Sequence, residues 1–210
     1  MNPGIPNHLL TAQARAALSG RWTTAVCANL IYVVIGIVAA IIGAFFGRFL
    51  QPVAQLLLAP PVYPGLRAVM LAIIRGEPAQ ALDVLSGFKV FRKAMQAYMM
   101  VGLFVMLWSL LIIIPGIIAA RSYSMTFFII SDNPEISPWK AIMQSNRMME
   151  GYRTKFFFLY LRFIGWGILC LFTFGIGTLW LAPYMIASFA AFYEDLKKIH
   201  PADTVSDDHD

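Results

Sequence analysis

Charge is what this chain has least of. Of its 210 residues, 13% are Asp, Glu, Lys or Arg and 59% are hydrophobic, whereas a soluble domain averages about 25% charged and about 45–50% apolar. So few charges cannot cover a soluble surface of this size without leaving large apolar patches. A bilayer removes the difficulty, because side chains that face lipid should be apolar. Acids are scarcer than bases, 11 against 16, for a net charge of +5. That excess does not gather on one polar segment, as a nucleic-acid surface requires. It sits at the ends of apolar runs, where membrane topology places it. Cysteine is limited to Cys27 and Cys170, both inside apolar runs and without metal or redox spacing. They read as small hydrophobes. The histidines, His8, His200 and His209, lie near the termini, and no acid lies inside a long apolar run. A metal site or a general acid/base pair in the membrane therefore lacks its parts. The expectation is a protein that is not an enzyme and holds no metal or cofactor. Residues Met1–Gly20 have no apolar leader core, so the first span is expected to act as the insertion signal.

What the chain does have is long apolar runs. A span needs roughly 20 such residues, because the hydrocarbon core is about 30 Å thick and a helix rises about 1.5 Å per residue. Thr23–Phe46 and Met95–Ile114 carry no charge. Gln51–Ile74 carries Arg67 and is interrupted by Pro60, Pro61 and Pro64. Gly116–Ile130 is short and carries Arg121. Phe156–Phe174 carries Arg162 near its start, and Gly175–Tyr193 closes the series. The expected fold is an all-α membrane protein of about six transmembrane helices. With the N-terminus inside, only Arg48 falls in an outer turn and Arg67, Arg121 and Arg162 fall within spans. Every other basic residue and all 11 acids fall inside. The positive-inside rule then places both termini in the cytoplasm, at a bacterial inner membrane.

The chain also repeats, at 7–76, 77–134 and 135–195. Each unit opens with a short amphipathic stretch: Asn7–Leu18 with Asn7 as its cap, then Glu77-Pro78 leading into Ala81, Leu82 and Leu85, then Ser137-Pro138 leading into Trp139, Ile142 and Met143. Each stretch is expected to stop at a glycine, Gly20, Gly87 or Gly151. Aromatic and basic residues follow or flank these stops: Trp22, Phe88 with Lys89, and Tyr152 with Arg153. Together with Trp139 they read as interfacial anchors. Each unit ends in a hairpin whose second helix opens at a proline, Pro61, Pro115 or Pro183. The result is three parallel hairpins with short interfacial helices on the cytoplasmic side. Anchors at helix ends are also what any set of membrane hairpins would show. Residues 1–196 are expected to form one membrane domain and 197–210 a disordered acidic cytoplasmic tail.

Several phrases resemble a known family: Ser86-Gly-Phe-Lys89, the run from Leu110 through Pro115-Gly116 to Ile118, Arg121-Ser-Tyr-Ser-Met125, Asp132-Asn-Pro134, Gly165-Trp166, Phe174-Gly-Ile-Gly177 before Trp180 and Pro183, and Ala190-Ala-Phe-Tyr193. Together, over about Ala14 to Leu196, they resemble the bacterial integral-membrane family termed domain of unknown function nine hundred seventy-five. That family is akin to the membrane domain of some glycerophosphodiester phosphodiesterases. The resemblance implies a membrane fold and brings no activity or catalytic residue with it.

Candidate sites follow from cost. A charge at mid-bilayer costs about 2.5–3.5 kcal/mol on the insertion scale, so intramembrane arginines are functional candidates. Arg67 and Arg121 each follow a proline, Pro61 and Pro115, by the same offset. Facing one cavity, they would bind an anion or lipid headgroup through their guanidinium forks. The plainer reading has them snorkel to the headgroups or cap broken helix backbone. Pro61, Pro64, Pro115 and Pro183 are expected helix breaks, as at transporter binding sites. The function expected is a non-enzymatic accessory or scaffold that engages membrane lipids, anionic headgroups among them, or a membrane-protein partner at the inner leaflet. The alternative is a permease or channel subunit with an arginine-lined cavity.

Overall fold

The computed structural model describes residues 4–46, 50–111, 122–173 and 175–200, with the backbone alone at 46, 50–59, 108–111 and 171. Every regular element among them is helical: α1 (Asn7–Leu18), α2 (Trp22–Phe46), α3 (Leu50–Arg75), a 3₁₀ helix (Ala81–Val90), α4 (Phe91–Leu111), α5 (Thr126–Asp132), α6 (Pro138–Met149), α7 (Arg153–Leu171) and α8 (Thr178–Ile199). Trp22–Phe45, of mean hydropathy 2.6, and Ala81–Leu107, of mean hydropathy 1.3, are long and apolar enough to cross a membrane.

Three pairings run antiparallel. Arg21, just before α2, donates to the carbonyls of Gly76 and Glu77, just after α3, and Tyr32 meets Tyr63 further along the same two helices. Lys93 at the start of α4 donates to the Pro134 carbonyl, and Phe104 meets Tyr123. Phe156 meets Phe192, and Phe163 meets Tyr184, along α7 and α8. These pairs are not all parallel neighbours, as three side-by-side hairpins would be. Trp22, at the start of α2, lines one groove with Cys170 and Gly177 from the turn end of the α7–α8 pair. The third pair therefore lies across the base of the first.

Several local expectations need correction. α3 runs as one helix through Pro60, Pro61 and Pro64, and Pro183 lies inside α8. Pro61, Pro64 and Pro183 therefore do not break helices. Proline removes one backbone donor and crowds the preceding turn, at a cost of about 3 kcal/mol in an isolated helix. Here Val62, Leu66, Val69 and Met70 are buried around the proline turn, so tertiary packing holds α3 helical. Pro115 and Arg121 lie outside the described residues. α8 runs to Ile199, so Lys197 and Lys198 belong to the helix and not to the tail expected from 197; residues 201–210 lie outside the described residues. The segment expected to span 116–130 is not one helix where it is described. A turn at Tyr123–Met125 precedes the seven-residue α5, whose Thr126–Ile130 are all buried.

The short helices do not simply lie flat with their apolar stripes outward. α1 buries Leu10, Ala14 and Leu18 and packs along α8 in the opposite sense. The Ile5 amide donates to Asp195, and the Tyr184 hydroxyl donates to the Thr11 carbonyl. Asn7 is the first helical residue rather than the cap, and its side chain donates to the Lys155 carbonyl. The second stretch is a 3₁₀ helix that turns Val84 and Gly87 inward and Leu82, Leu85 and Phe88 outward. Only α6 starts as its sequence signals, with Pro138 in its first turn and the Ser137 hydroxyl accepting from the Lys140 amide.

Glycine serves two purposes. Gly20 and Gly151 follow α1 and α6 at φ +81° and +80°, the left-handed conformation that suits glycine at a helix end. Gly87 instead makes a close crossing. A Cβ on Gly87 would overlap the Pro61 carbonyl oxygen, and one on Gly65 would overlap the Val84 carbonyl oxygen. The 3₁₀ helix and α3 thus meet backbone to backbone.

Candidate functional site

Arg67 lies two turns above the polar end of α3, and its surroundings come from α3 itself and from α5. Its Cζ lies 5.2 Å from the Tyr63 ring centroid, 5.2 Å from that of Phe127 and 5.3 Å from that of Phe128. Tyr63 packs in turn against Tyr32 of α2, Tyr98 of α4 and Phe127 of α5, with centroids 5.9, 6.0 and 5.6 Å apart. Tyr63 of α3 and Phe127 and Phe128 of α5 thus cage the guanidinium, and Tyr32 and Tyr98 buttress Tyr63 from behind. Ring faces attract a cation through their quadrupoles, by about 2 kcal/mol or more per contact once water is removed.

The cage does not neutralise the charge. Nη1 donates to the Tyr63 carbonyl at 3.2 Å, one turn back, while Nε is buried without a partner. Among the described residues no carboxylate pairs with Arg67; the ion pairs form elsewhere. A guanidinium has five N–H donors in a planar fork suited to phosphate or carboxylate. At Arg67 one of these donors, the Nε–H, is buried and unused. Arg121, expected to share the site, lies outside the described residues.

Below the cage is a polar clasp that pattern reading did not single out. Asp132, at the end of α5, accepts from Arg75 Nη1 at 2.7 Å, Lys197 Nζ at 2.6 Å and the Tyr193 hydroxyl at 3.1 Å. Arg75 also donates to Glu194 from Nε and Nη2, at 2.9 and 2.6 Å. Burial pushes the Asp132 carboxyl up, but its bonds to Arg75 and Lys197 outweigh that and hold it below the usual carboxylate range. The clasp ties the polar ends of α3, α5 and α8 together. A second tie sits beside the start of α1. There Asp195 pairs with Lys155 at 3.3 Å, and Lys155 Nζ lies over the Tyr152 and Phe192 rings.

The expected anchors divide into two groups. Phe88, Lys89 and Trp139 are exposed. Trp22 and Tyr152 are partly buried against the core, and Arg153 donates to Asn146. Trp139 also packs against Phe104 of α4. Arg67 could be flagged from sequence as an intramembrane cation. Its cage could not, because Phe127 and Phe128 come from another segment.

No curated protein matches the chain, and no solved structure matches it. The family described as "Protein of unknown function (DUF975)" matches residues 6–122 and again residues 110–200. With nearly the whole length matched, the chain belongs to the DUF975 family.

Proposed function

We propose that this chain is a multi-pass inner-membrane protein with six membrane-embedded segments and cytoplasmic termini. In this reading it acts as a non-enzymatic accessory or scaffold that engages anionic lipid. Apolar exposure supports the embedding. Ile37, Ile41 and Phe45 on α2, and Leu103 and Met106 on α4, are each more than half exposed. In water such faces would aggregate, whereas in hydrocarbon they are the expected surface.

The observation that carries the lipid reading is Arg67: caged by aromatic rings, without a carboxylate, and with a buried Nε left open. A phospholipid phosphate fits the guanidinium fork. The test is the lipid retained through detergent purification, measured for the native chain, for the Arg67→Ala variant and for the Arg67→Ala, Arg121→Ala double variant. Loss of anionic lipid in the variants supports the proposal, and unchanged lipid content contradicts it. Uptake of a water-soluble anion through Arg67 in proteoliposomes would favour a permease or channel subunit instead.

A further inference from the structure

We propose that a second groove, away from the Arg67 cage, holds the headgroup of an anionic phospholipid between Arg15 and Arg162. The groove encloses about 300 Å³ between α1, the start of α2, α7 and the first half of α8. Arg15 and Arg162 line it together with Trp22, Trp166, Trp180 and Tyr184. Arg15 lies over the Tyr184 ring, with Cζ 5.6 Å from the centroid. That contact orients one guanidinium along the wall. Among the described residues no carboxylate lines the groove and neither arginine is in an ion pair.

Two cations on one groove without an acid call for an anion. The walls select which anion. Trp166 and Trp180 stay 57% and 52% exposed, and Phe163 and Leu181 continue the apolar surface beside them. A small hydrated anion would gain nothing from those indoles. A phospholipid gains on both counts: its phosphate takes the guanidinium donors, and its chains cover the rings. Indoles next to cations are the usual furniture of the headgroup level. The proposal rests on the chain being membrane-embedded but not on the Arg67 cage.

The purified full-length chain is placed in nanodiscs of zwitterionic lipid doped with brominated-chain phosphatidylglycerol or, separately, brominated-chain phosphatidylcholine. Tryptophan quenching is then compared. The expected result is stronger quenching by the anionic lipid. That preference should fall in the Arg15→Ala, Arg162→Ala variant and persist in Arg15→Lys, Arg162→Lys. Far-UV circular dichroism confirms that each variant is folded. Arg162→Ala alone, at an exposed position, should lose part of the preference and serves if the double variant fails to fold. Equal quenching by both lipids in the native chain, or a preference left undiminished by loss of both arginines, overturns the groove. Abolition of the preference by excess inorganic phosphate would make it a general anion site and also overturns it. Quenching by neither lipid contradicts membrane embedding itself.

Discussion

Phe128 of α5 stacks on Tyr193 of α8, with ring centroids 5.7 Å apart and planes 17° from parallel. The other neighbours of these two rings give the contact its meaning. Phe128 lies under the Arg67 guanidinium, and the Tyr193 hydroxyl donates to Asp132. One stacked pair therefore joins the caged arginine to the polar clasp that ties α3, α5 and α8.

Phe128 is 1% exposed, and truncating a buried phenylalanine costs about 3–5 kcal/mol. Phe128→Ala should therefore lower the thermal midpoint of the detergent-solubilised chain sharply. Tyr193→Phe keeps the stack and removes one hydrogen bond, with an expected cost of about 1 kcal/mol. Both are read by thermal unfolding in detergent, and equal effects from the two would show that the stack contributes nothing beyond the hydroxyl.

The clasp should make the protein acid-sensitive. The folded-state Asp132 carboxyl titrates below its usual range, so the unfolded chain takes up its proton first as pH falls. The stabilisation is complete above the unfolded value, about 3.9. It declines as pH drops through that value and on through the depressed folded one. Asp132→Asn should be less stable at neutral pH and show a flatter stability profile below about pH 4. An unchanged acid limb in Asp132→Asn, measured by thermal midpoint against pH, would remove the clasp from the account.

The glycine crossing makes a contrast within one residue type. At Gly65 or Gly87 an added Cβ would collide with a backbone carbonyl of the facing element, which cannot rotate away. Overpacking of this kind costs about 1–3 kcal/mol or more. Gly102, inside α4, has nothing within 4 Å of an added Cβ, so Gly102→Ala should stabilise by about 0.5–1 kcal/mol through helix propensity. Chemical denaturation of the three alanine variants tests the signs, which should be opposite.

Ser145 of α6 accepts from the Met125 amide at 3.2 Å and donates to the Ser122 carbonyl at 2.7 Å. It is fully buried. Ser145→Ala leaves both backbone groups without that partner, which costs about 1–3 kcal/mol each. Hydrogen exchange at the Met125 amide should accelerate, and unchanged exchange would show that the hydroxyl does not hold this turn.

Local signals were legible where one segment alone decides the outcome. The stripe Leu10, Ala14, Leu18 marks α1 over Asn7–Leu18, and Ser137-Pro138 marks the start of α6. Left-handed glycines at 20 and 151 follow from the same local chemistry. Features that need two segments were not legible. Gly87 reads as a helix stop in its own window, yet Pro61 and Gly65 across the crossing make it a contact. Pro61 and Pro64 read as breaks because proline disfavours helix in isolation, whereas the packing of Val62, Leu66 and Met70 overrides that preference. Arg67 was legible as an oddity of charge. Its cage and the Asp132 clasp join residues far apart along the chain, so no pattern within one run could show them.

Membrane embedding with the polar ends on the cytoplasmic side is the central claim, and single-cysteine labelling tests it most directly. Cys27 and Cys170 are replaced by alanine, and one cysteine is introduced at Glu150, before α7, or at Arg48, the one basic residue assigned to an outer turn. Intact cells are then treated with a membrane-impermeant maleimide. The account predicts that Arg48→Cys is labelled from outside and that Glu150→Cys is labelled only after the membrane is opened. Labelling of Glu150→Cys in intact cells, or recovery of the chain in the soluble fraction, would contradict it.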